Sequence, residues 1–253
     1  MDSVTILNYI FVFLFGITVG SFLNVCILRI PAGESIVTGP SHCTTCGKRL
    51  KWWELIPLFS YLALRGRCSA CHSPISVQYP LIEAANGALW LLAYHRFGFS
   101  PDTLLGCFFA SALLVASIID ARTREIPPGT TITVAVLGAL RLLLPGGDWP
   151  SHLLGLVSVS GALLLIFILS GGAAIGGGDI KLMAGCGLFL GLRLNLLAFF
   201  LGCVLGSVIH LTRMCFGGAK RDLALGPYLA AGAMLSFLWG DAFLGWYLSL
   251  LFS

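Results

Sequence analysis

ILNYIFVFLFGITVGSFLNVCIL, residues 6–28, runs for 23 positions without a charged side chain. A stretch of this length fits the ~20 apolar residues that a helix needs to cross a bilayer. It is too long for the apolar core of a secretory signal, and the segment before it carries Asp2 but no Lys or Arg. We therefore predict an uncleaved first membrane span, the alternative being a leader that is removed.

The composition extends this interpretation to the whole chain. Of its 253 residues, 57% are hydrophobic and 10% are charged, and the mean hydropathy is +0.93. A soluble domain is about a quarter charged. The net charge of +4 is modest and gives no support for nucleic-acid binding. We expect an all-α polytopic membrane protein that is surrounded by the lipid bilayer.

Seven further apolar stretches predict about eight transmembrane helices in all. They follow the one extended polar block, residues 29–80. We therefore divide the chain into a first helix (1–28), a small inserted domain (29–80) and a membrane domain of about seven helices (81–253). The seven stretches are 81–97, 101–119, 130–144, 152–170, 181–192, 194–215 and 225–250, of which 181–192 is short for a span and 225–250 is long.

The positions of Lys and Arg predict the orientation, because cytoplasmic loops are enriched in these residues. With residues 29–80 in the cytoplasm and eight spans, twelve of the 15 basic residues face the cytoplasm, and both chain ends lie outside. Arg96, Arg141 and Arg193 then lie on the outer side. The twelve are Arg29, Lys48, Arg49, Lys51, Arg65, Arg67, Arg122, Arg124, Lys181, Arg213, Lys220 and Arg221.

Two cysteine pairs in the polar block predict a metal site. CTTC (43–46) and CSAC (68–71) form the pattern C-x2-C-x21-C-x2-C. Each pair presents two thiolates on a tight turn, and two such pairs complete the tetrahedral site of a structural zinc ion. A cytoplasmic location keeps the thiols reduced, and a small domain gains stability from a metal. We predict a structural Zn²⁺ held by Cys43, Cys46, Cys68 and Cys71.

Two alternatives remain open for this block. CSACH (68–72) matches the C-x-x-C-H pattern of haem attachment, although that attachment normally takes place outside the cytoplasm and would leave CTTC unexplained. His42 or His72 could instead replace one cysteine as a ligand. The other five cysteines lie in or beside apolar stretches, where packing is the expected role: Cys26, Cys107, Cys186, Cys203 and Cys215.

Two carboxylates stand at the ends of apolar stretches. Asp120 closes ASALLVASIID (110–120), and Asp179 follows the glycines of GGGDIK (176–181), whereas Glu125 lies in the charged loop TREIP (123–127). The predicted topology places both aspartates at the cytoplasmic ends of spans. Two facing carboxylates can share one proton, so that one activates water while the other protonates a peptide carbonyl. This is the chemistry of an aspartic protease.

The glycines before Asp179 have two interpretations. They give a peptide backbone room to approach and let the chain bend at the start of a span. Alternatively, they are helix-packing contacts and Asp179 caps the next helix. The presence of Asp120 on the same predicted side favours catalysis.

Several segments together resemble the type IV prepilin peptidases, which are bacterial membrane aspartic peptidases of the GxGD kind. IIDARTREIP (118–127) and GGGDIK (176–181) resemble the two active-site motifs of that family, and LGPYLAAGA (225–233) is similar to its C-terminal segment. Four further segments resemble the N-terminal region of the family: GSFLNVCILRIP (20–31), SHCTTCGKRL (41–50), LRGRCSACHSPIS (64–76) and YPLIEA (79–84).

The resemblance implies removal of the basic leader from type IV prepilins and pseudopilins at the cytoplasmic face of the bacterial inner membrane. Asp120 and Asp179 would be the catalytic pair. For members with a cysteine block, the resemblance also implies N-methylation of the new N-terminal residue, with S-adenosylmethionine as methyl donor. It implies a role in type IV pilus assembly or type II secretion. No methyl-donor contacts are predicted, because structural roles explain Asn24, Arg29 and Glu83 equally well.

Three positions depart from the family pattern. Arg122 stands where a second Asp often occurs, Pro128 and Gly129 stand where an acidic or amide residue is common, and Leu225 replaces a frequent Phe. These departures affect the expected substrate preference rather than the reaction.

Three other functions are open to the same residues. The chain could be a peptidase without methyl transfer, a proton-coupled transporter that uses the same aspartates, or a non-enzymatic assembly adapter. Carriers tend to place ionisable groups near the middle of the bilayer, in broken and repeated helices, whereas these aspartates lie at predicted span ends. An adapter would leave the GGGD motif without a purpose.

Overall fold

The computed structural model describes residues 3–144, 148–216 and 224–251, and the regular elements of these residues are helices. Eight of the helices overlap the eight predicted apolar stretches, one helix to each stretch. In chain order the elements are α1 (Ser3–Arg29), a 3₁₀ turn (Trp52–Leu55), α2 (Phe59–Ala63), α3 (Gln78–Phe97), α4 (Pro101–Thr123), α5 (Pro128–Leu142), α6 (Trp149–Leu169), α7 (Gly177–Leu190), α8 (Leu192–Cys215) and α9 (Gly226–Leu251).

Five of these helices, α1, α4, α6, α8 and α9, are long and apolar enough to cross a membrane. The helix α5 has 15 residues and α7 has 14, both short of the ~20 that a span needs. The prediction of an all-helical, multi-pass membrane protein is therefore confirmed. The count of eight spans, the domain bounds and the orientation stay predictions, and Lys220 and Arg221, used for the orientation, lie outside the described residues.

The contacts divide the chain into two compact units, Met1–Thr103 and Leu104–Ser253. In the first unit, α1 and α3 form a close antiparallel hairpin. The amide of Asn86 donates a hydrogen bond of 2.7 Å to the carbonyl of Gly16, and a methyl group at Gly16 would lie 2.8 Å from the Cα of Gly87. Small residues let the two backbones approach in this way. The hairpin holds the ends of residues 30–77 together, so these residues form one module.

In the second unit, helices α4 to α9 surround an aromatic centre. The rings of Phe109 and Phe189 stack with centroids 4.0 Å apart, and Phe237 lies 5.4 Å from Phe189. Offset aromatic pairs of this kind contribute beyond the area that they bury. The stack joins α4, α7 and α9, which are the three helices that carry the candidate catalytic groups.

The short helix α7 is fixed at its far end by polar contacts. Arg141 donates to the carbonyl of Phe189 at 2.8 Å, and Nδ1 of His152 lies 2.8 Å from the carbonyl of Leu188. The last carbonyls of a helix have no partner within the helix, so these two side chains supply one. α7 is thereby held at a defined position, although it is shorter than a membrane span.

Candidate active site

The two aspartates singled out by the sequence meet at one cavity. Asp120 lies in the last turn of α4 and Asp179 in the first turn of α7. They are 59 positions apart along the chain, yet both line a cavity of about 310 Å³. The remaining lining residues are Arg124, Glu125, Ile126, Pro128, Gly176, Gly177 and Gly178.

Asp120 is held from the opposite side by the start of α9. Its side chain is buried, and Oδ2 accepts a hydrogen bond of 3.0 Å from the backbone N–H of Gly226, the first residue of α9. A methyl group at Gly226 would lie 2.7 Å from Oδ2, so this contact requires glycine. A helix N-terminus with a free N–H stabilises negative charge. This contact therefore stabilises the negative charge of Asp120 when the carboxylate is ionised.

Asp179 is not the N-cap residue of α7, but its carboxylate accepts a hydrogen bond from the backbone N–H of the N-cap residue Gly176, so the capping interpretation stays an alternative. The N-cap of α7 is Gly176, which forms no side-chain cap, and Asp179 is the third residue of the helix. Its Oδ1 is buried and has no hydrogen-bond partner among the described residues. Buried polar atoms in proteins nearly always have partners. This oxygen is consequently placed to bind water or substrate.

The glycines before Asp179 differ in the space beside them. A methyl group at Gly177 would meet nothing within 4 Å, and one at Gly178 would lie 3.0 Å from Cβ of Ile126. The backbone bends earlier, at Gly171 and Gly172, which have φ of 61° and 82°. The chain also passes from extended backbone at Gly176 into the helix at Gly177, so the expected bend at GGGD stays a prediction. The expected room is present at Gly177, whereas Gly178 packs against Ile126.

Sequence reasoning missed three residues at this site. Glu125 belongs to a charged loop in the sequence, yet it lines the cavity together with Arg124. Arg124 follows the last residue of α4, and its positive φ of 62° ends the helix. Its N–H still bonds to the carbonyl of Asp120, at 2.9 Å. The sequence points to Gly226 only through the resemblance of LGPYLAAGA (225–233) to the family. The available signal was its place in a Gly-Pro pair at the start of an apolar stretch.

The four predicted cysteines cluster in the first unit. The Sγ atoms of Cys43, Cys46, Cys68 and Cys71 all lie within 4.8 Å of one another, and those of Cys43 and Cys71 are 3.9 Å apart. Zn–S bonds of about 2.3 Å in a tetrahedron place the sulfur atoms about 3.8 Å apart. The cluster therefore fits a metal ion. In the part of the chain that the structure describes, neither His42 nor His72 belongs to it.

Matching turns build the two halves of the cluster. The N–H of Cys43 bonds to the carbonyl of Lys48, and the N–H of Cys68 bonds to that of Ser73, both at 2.9 Å. The backbone N–H groups of Cys46 and Thr45 lower the pKa of the Cys43 thiol to about 6. Donors of this kind stabilise a thiolate, which is the form that binds metal.

A charged network supports the cluster from behind. The ammonium group of Lys48 lies 2.8 Å from Oε1 of Glu54, and both residues also hydrogen-bond to the hydroxyl of Ser69. Oε2 of Glu54 accepts the N–H of Lys51 at 2.7 Å. The hydrogen bond from Lys48 is the main cause that lowers the pKa of Glu54 to about 2. The network anchors residues next to Cys46 and Cys68.

The residues considered for a methyl-donor site have structural hydrogen bonds. The guanidinium of Arg29 donates to the carbonyls of residues 35, 38 and 39. Asn24 donates to the carbonyl of Tyr79 at 3.2 Å, and Glu83 accepts the N–H of Leu58 at 2.8 Å. These contacts give Arg29 and Glu83 structural roles in the first unit.

Comparison with known proteins gives matches along most of the chain. Residues 14–97 match the family model of the bacterial peptidase A24 N-terminal domain. Residues 107–211 match the model of the type IV leader peptidase family. The first match covers the cysteine cluster, and the second covers Asp120 and Asp179. No solved structure matches.

Curated relatives match over nearly their full length. A protein of Bacillus subtilis (strain 168), named prepilin leader peptidase/N-methyltransferase, is 34% identical over 241 residues, which cover 94% of this chain and 97% of the relative. Proteins of the same name from Xanthomonas campestris and Pseudomonas putida are 36% and 32% identical, and the matches cover 92% and 88% of these relatives. The chain belongs to the type IV leader peptidase family.

Proposed function

We propose that Asp120 and Asp179 together cleave the leader peptide from type IV prepilins and pseudopilins, and that the same chain then methylates the new N-terminal residue. The observation that carries the proposal is the single cavity that both carboxylates line. The substrate and the two reactions are supported by the relatives, which are named prepilin leader peptidase/N-methyltransferase. The enzyme is thus a prepilin peptidase with N-methyltransferase activity.

Asp120 acts as the base in this mechanism. The N–H of Gly226 stabilises the negative charge on its Oδ2, and the ionised carboxylate removes a proton from a water molecule in the cavity. The water oxygen attacks the carbonyl carbon of the scissile peptide bond, while Asp179 donates its proton to the carbonyl oxygen. The proton held by Asp120 then passes to the leaving amine as the C–N bond breaks. The hydroxyl of the tetrahedral intermediate returns its proton to Asp179 as the carbonyl re-forms, so both groups are restored.

The open side of Gly177 gives the substrate backbone a path to the two carboxylates. Substrates of this kind have a basic leader followed by an apolar helix, so their cleavage site lies at the membrane surface. The distribution of Lys and Arg supports a cytoplasmic location for this end of α4 and α7. We therefore assign the enzyme to the bacterial inner membrane, acting in type IV pilus assembly or type II secretion.

Zn²⁺ is the proposed metal of the cysteine cluster, because four thiolates match its preferred donor set and geometry. Four protein ligands leave no open position for substrate, so the role is structural. S-Adenosylmethionine would supply the methyl group in the second reaction. The amine freed by peptide cleavage is the group that receives it.

The leader-removal assay tests the dyad. The full chain is reconstituted in vesicles with a prepilin, and the shortened product is measured. Asp120→Asn and Asp179→Asn each remove an ionisable group of the pair, so the rate should fall by roughly 10²–10⁴-fold. Asp241→Asn is the matched control, since Asp241 is an exposed aspartate on α9, and it should cleave normally. Normal cleavage by Asp179→Asn would refute the dyad.

Methyl transfer is measured separately. Radiolabelled S-adenosylmethionine is supplied with a prepilin that has already been cleaved, so that the peptidase step is not needed. Asp120→Asn should still transfer the label to the N-terminus of the product. An unlabelled product with the unmodified chain would instead support a peptidase without methyl transfer. Proton-dependent uptake of a solute that requires both aspartates would support the transporter.

A further inference from the structure

The module between α1 and α3 has one strongly apolar surface. Eight large hydrophobic side chains are exposed within residues 30–77, and six of them fall within residues 52–62. We call residues 52–62 the apolar segment; it contains the 3₁₀ turn and α2. The six exposed side chains are Trp52, Trp53, Leu55, Ile56, Phe59 and Leu62. An apolar surface this concentrated marks an interaction site rather than random exposure.

The other side of the apolar segment is bound to the module. Glu54 is buried in the network with Lys48 and Ser69, and the hydroxyl of Tyr61 donates to the carbonyl of Ile75 at 3.5 Å. The apolar segment therefore has two faces, of which the polar one is fixed inside the protein. The apolar face has no protein partner among the described residues that would explain its composition.

A hydrogen bond sets the level of the apolar segment along the membrane hairpin. The N–H of Leu58 bonds to Oε2 of Glu83 at 2.8 Å, and Glu83 is a buried residue of α3. Glu83 lies five residues after Gln78, where α3 begins, which corresponds to about 7.5 Å along the helix axis. The centre of the apolar segment thus lies beside the first turns of α3, beyond its start. Residues 81–97 are the part of α3 that the sequence predicts to cross the membrane, so the apolar segment lies at the predicted membrane boundary, where surface-bound amphipathic segments insert.

Basic residues flank the apolar face on both sides. Lys51 comes directly before the apolar segment, and Arg65 and Arg67 follow it; all three are exposed. Trp and Tyr with nearby Lys and Arg are typical of the interface between bilayer and water. Basic residues near a leaflet that contains anionic lipids are attracted to its surface. This charge pattern fits phospholipid headgroups and would repel a basic leader peptide.

We propose that the apolar segment, residues 52–62, is a membrane-surface anchor that inserts its exposed face into a leaflet containing anionic phospholipids. Trp52, Phe59 and Leu62 enter the region between headgroups and acyl chains, while Lys51 and Arg65 contact phosphate groups. The anchor fixes the cysteine module to the bilayer at a third point, besides α1 and α3. It makes the module part of the membrane surface rather than a domain suspended in solution.

The experiment places a photoreactive residue on the apolar face. The full chain carries p-benzoylphenylalanine in place of Phe59, and it is reconstituted in vesicles of phosphatidylethanolamine and phosphatidylglycerol with an alkyne-tagged phospholipid. The matched control carries the same residue in place of Val37, which is 88% exposed in the same module and lies outside the apolar segment. Illumination should give severalfold more phospholipid adduct at position 59 than at position 37. Leu62 serves as a second test position.

Three results would contradict the proposal or part of it. Equal phospholipid labelling at positions 59 and 37 would overturn the anchor. Adducts of position 59 with a second copy of the chain, or with a prepilin in the same vesicles, would instead identify a protein-docking surface. Labelling at position 59 should fall when phosphatidylcholine replaces phosphatidylglycerol, and also in the variant with Lys51→Gln and Arg65→Gln. If neither change affected the labelling, the proposed contacts of Lys51 and Arg65 with phosphate groups would be refuted.

Discussion

The cysteine cluster and the aspartate pair are built in opposite ways. Each half of the cluster is a turn of a few residues, closed by its own backbone hydrogen bonds, such as Cys43 N–H to Lys48. The aspartate pair has no local connection, since Asp120 and Asp179 belong to different helices and depend on a third, α9, for the contact with Gly226. We infer that short-range sequence specifies the first site, whereas helix packing specifies the second.

The largest effect that we expect is loss of the metal from the cysteine cluster, and it tests the locally built site. Cys68→Ser removes a buried ligand of the cluster, and a structural zinc site contributes about 10–16 kcal/mol to the folding of small domains. Purified protein should fall from about one zinc ion per chain to almost none. Cys215→Ser is the control, because Cys215 is exposed and lies outside the cluster. A Cys68→Ser protein with full zinc content would remove this cysteine from the ligand set.

Gly226→Ala should have the next largest effect, and it acts on the helix-built site. The new methyl group would lie 2.7 Å from Oδ2 of Asp120, so the carboxylate must move and its contact with the start of α9 weakens. A small displacement of a catalytic group can cost about 10²-fold in rate. We expect kcat for leader removal to fall by roughly 10–100-fold while the zinc content stays normal.

The matched control for this variant is Gly245→Ala, on the same helix α9. A methyl group at Gly245 would meet nothing within 4 Å, so leader removal should be unchanged. If Gly226→Ala cleaved at the rate of Gly245→Ala, the contact between Asp120 and α9 would have no part in catalysis. The assignment of Asp120 as the base would then lose its main support.

The comparison also explains which features the sequence could predict. The spacing of Cys43, Cys46, Cys68 and Cys71 was sufficient to predict the cluster, because each of two local turns brings two of the four ligands together. Uninterrupted apolar runs were sufficient for the long helices, since their length is set by the bilayer. Asp120 and Asp179 could be singled out, because carboxylates at the ends of apolar stretches are rare and costly.

The remaining features depend on contacts that sequence patterns do not carry. Gly226 reaches Asp120 across 106 positions of the chain, and nothing in the local sequence indicates that partner. Glu125 looked like an ordinary loop residue, since its position at the cavity depends on the turn at Arg124 and on the packing of α5. The glycines before Asp179 could not be told apart by composition, which does not show that Gly177 is open while Gly178 packs against Ile126.

Arg141→Met should have a moderate effect on the membrane helices. Arg141 donates to the carbonyl of Phe189 and lies over the rings of Phe189 and Phe237, at 4.9 and 5.6 Å from their centroids. Loss of this donor leaves a carbonyl at the end of α7 unsatisfied, at a cost of about 1–3 kcal/mol. Thermal unfolding of the second unit should therefore shift to lower temperature.

Arg193→Met is the control for this prediction, because Arg193 is an exposed arginine on α8. It should leave the unfolding temperature unchanged. Equal unfolding temperatures for the two variants would contradict the role of Arg141 in holding α7. Zinc content should be normal in both, since the cysteine turns are stabilised within their own unit.

Glu54→Gln should have the smallest effect, and it concerns the first unit alone. The folded protein lowers the pKa of Glu54 from an ordinary 4.5 to about 2, mainly through the hydrogen bond from Lys48. A lowered pKa stabilises the fold fully above about pH 4.5, and this contribution is lost as the pH falls towards 2. At neutral pH the variant should release zinc to a chelator up to about tenfold faster than the unmodified chain.

The rate ratio between the variant and the unmodified chain should be constant between about pH 6 and pH 8, because Glu54 is ionised throughout this range. Glu34→Gln is the control: Glu34 is exposed and should release zinc at the normal rate. A ratio that changes steadily across this pH range would assign the effect to a different titrating group. Loss of leader removal by Glu54→Gln with its zinc retained would break the comparison itself, since a change confined to the cysteine module would then reach the aspartate site without loss of the metal.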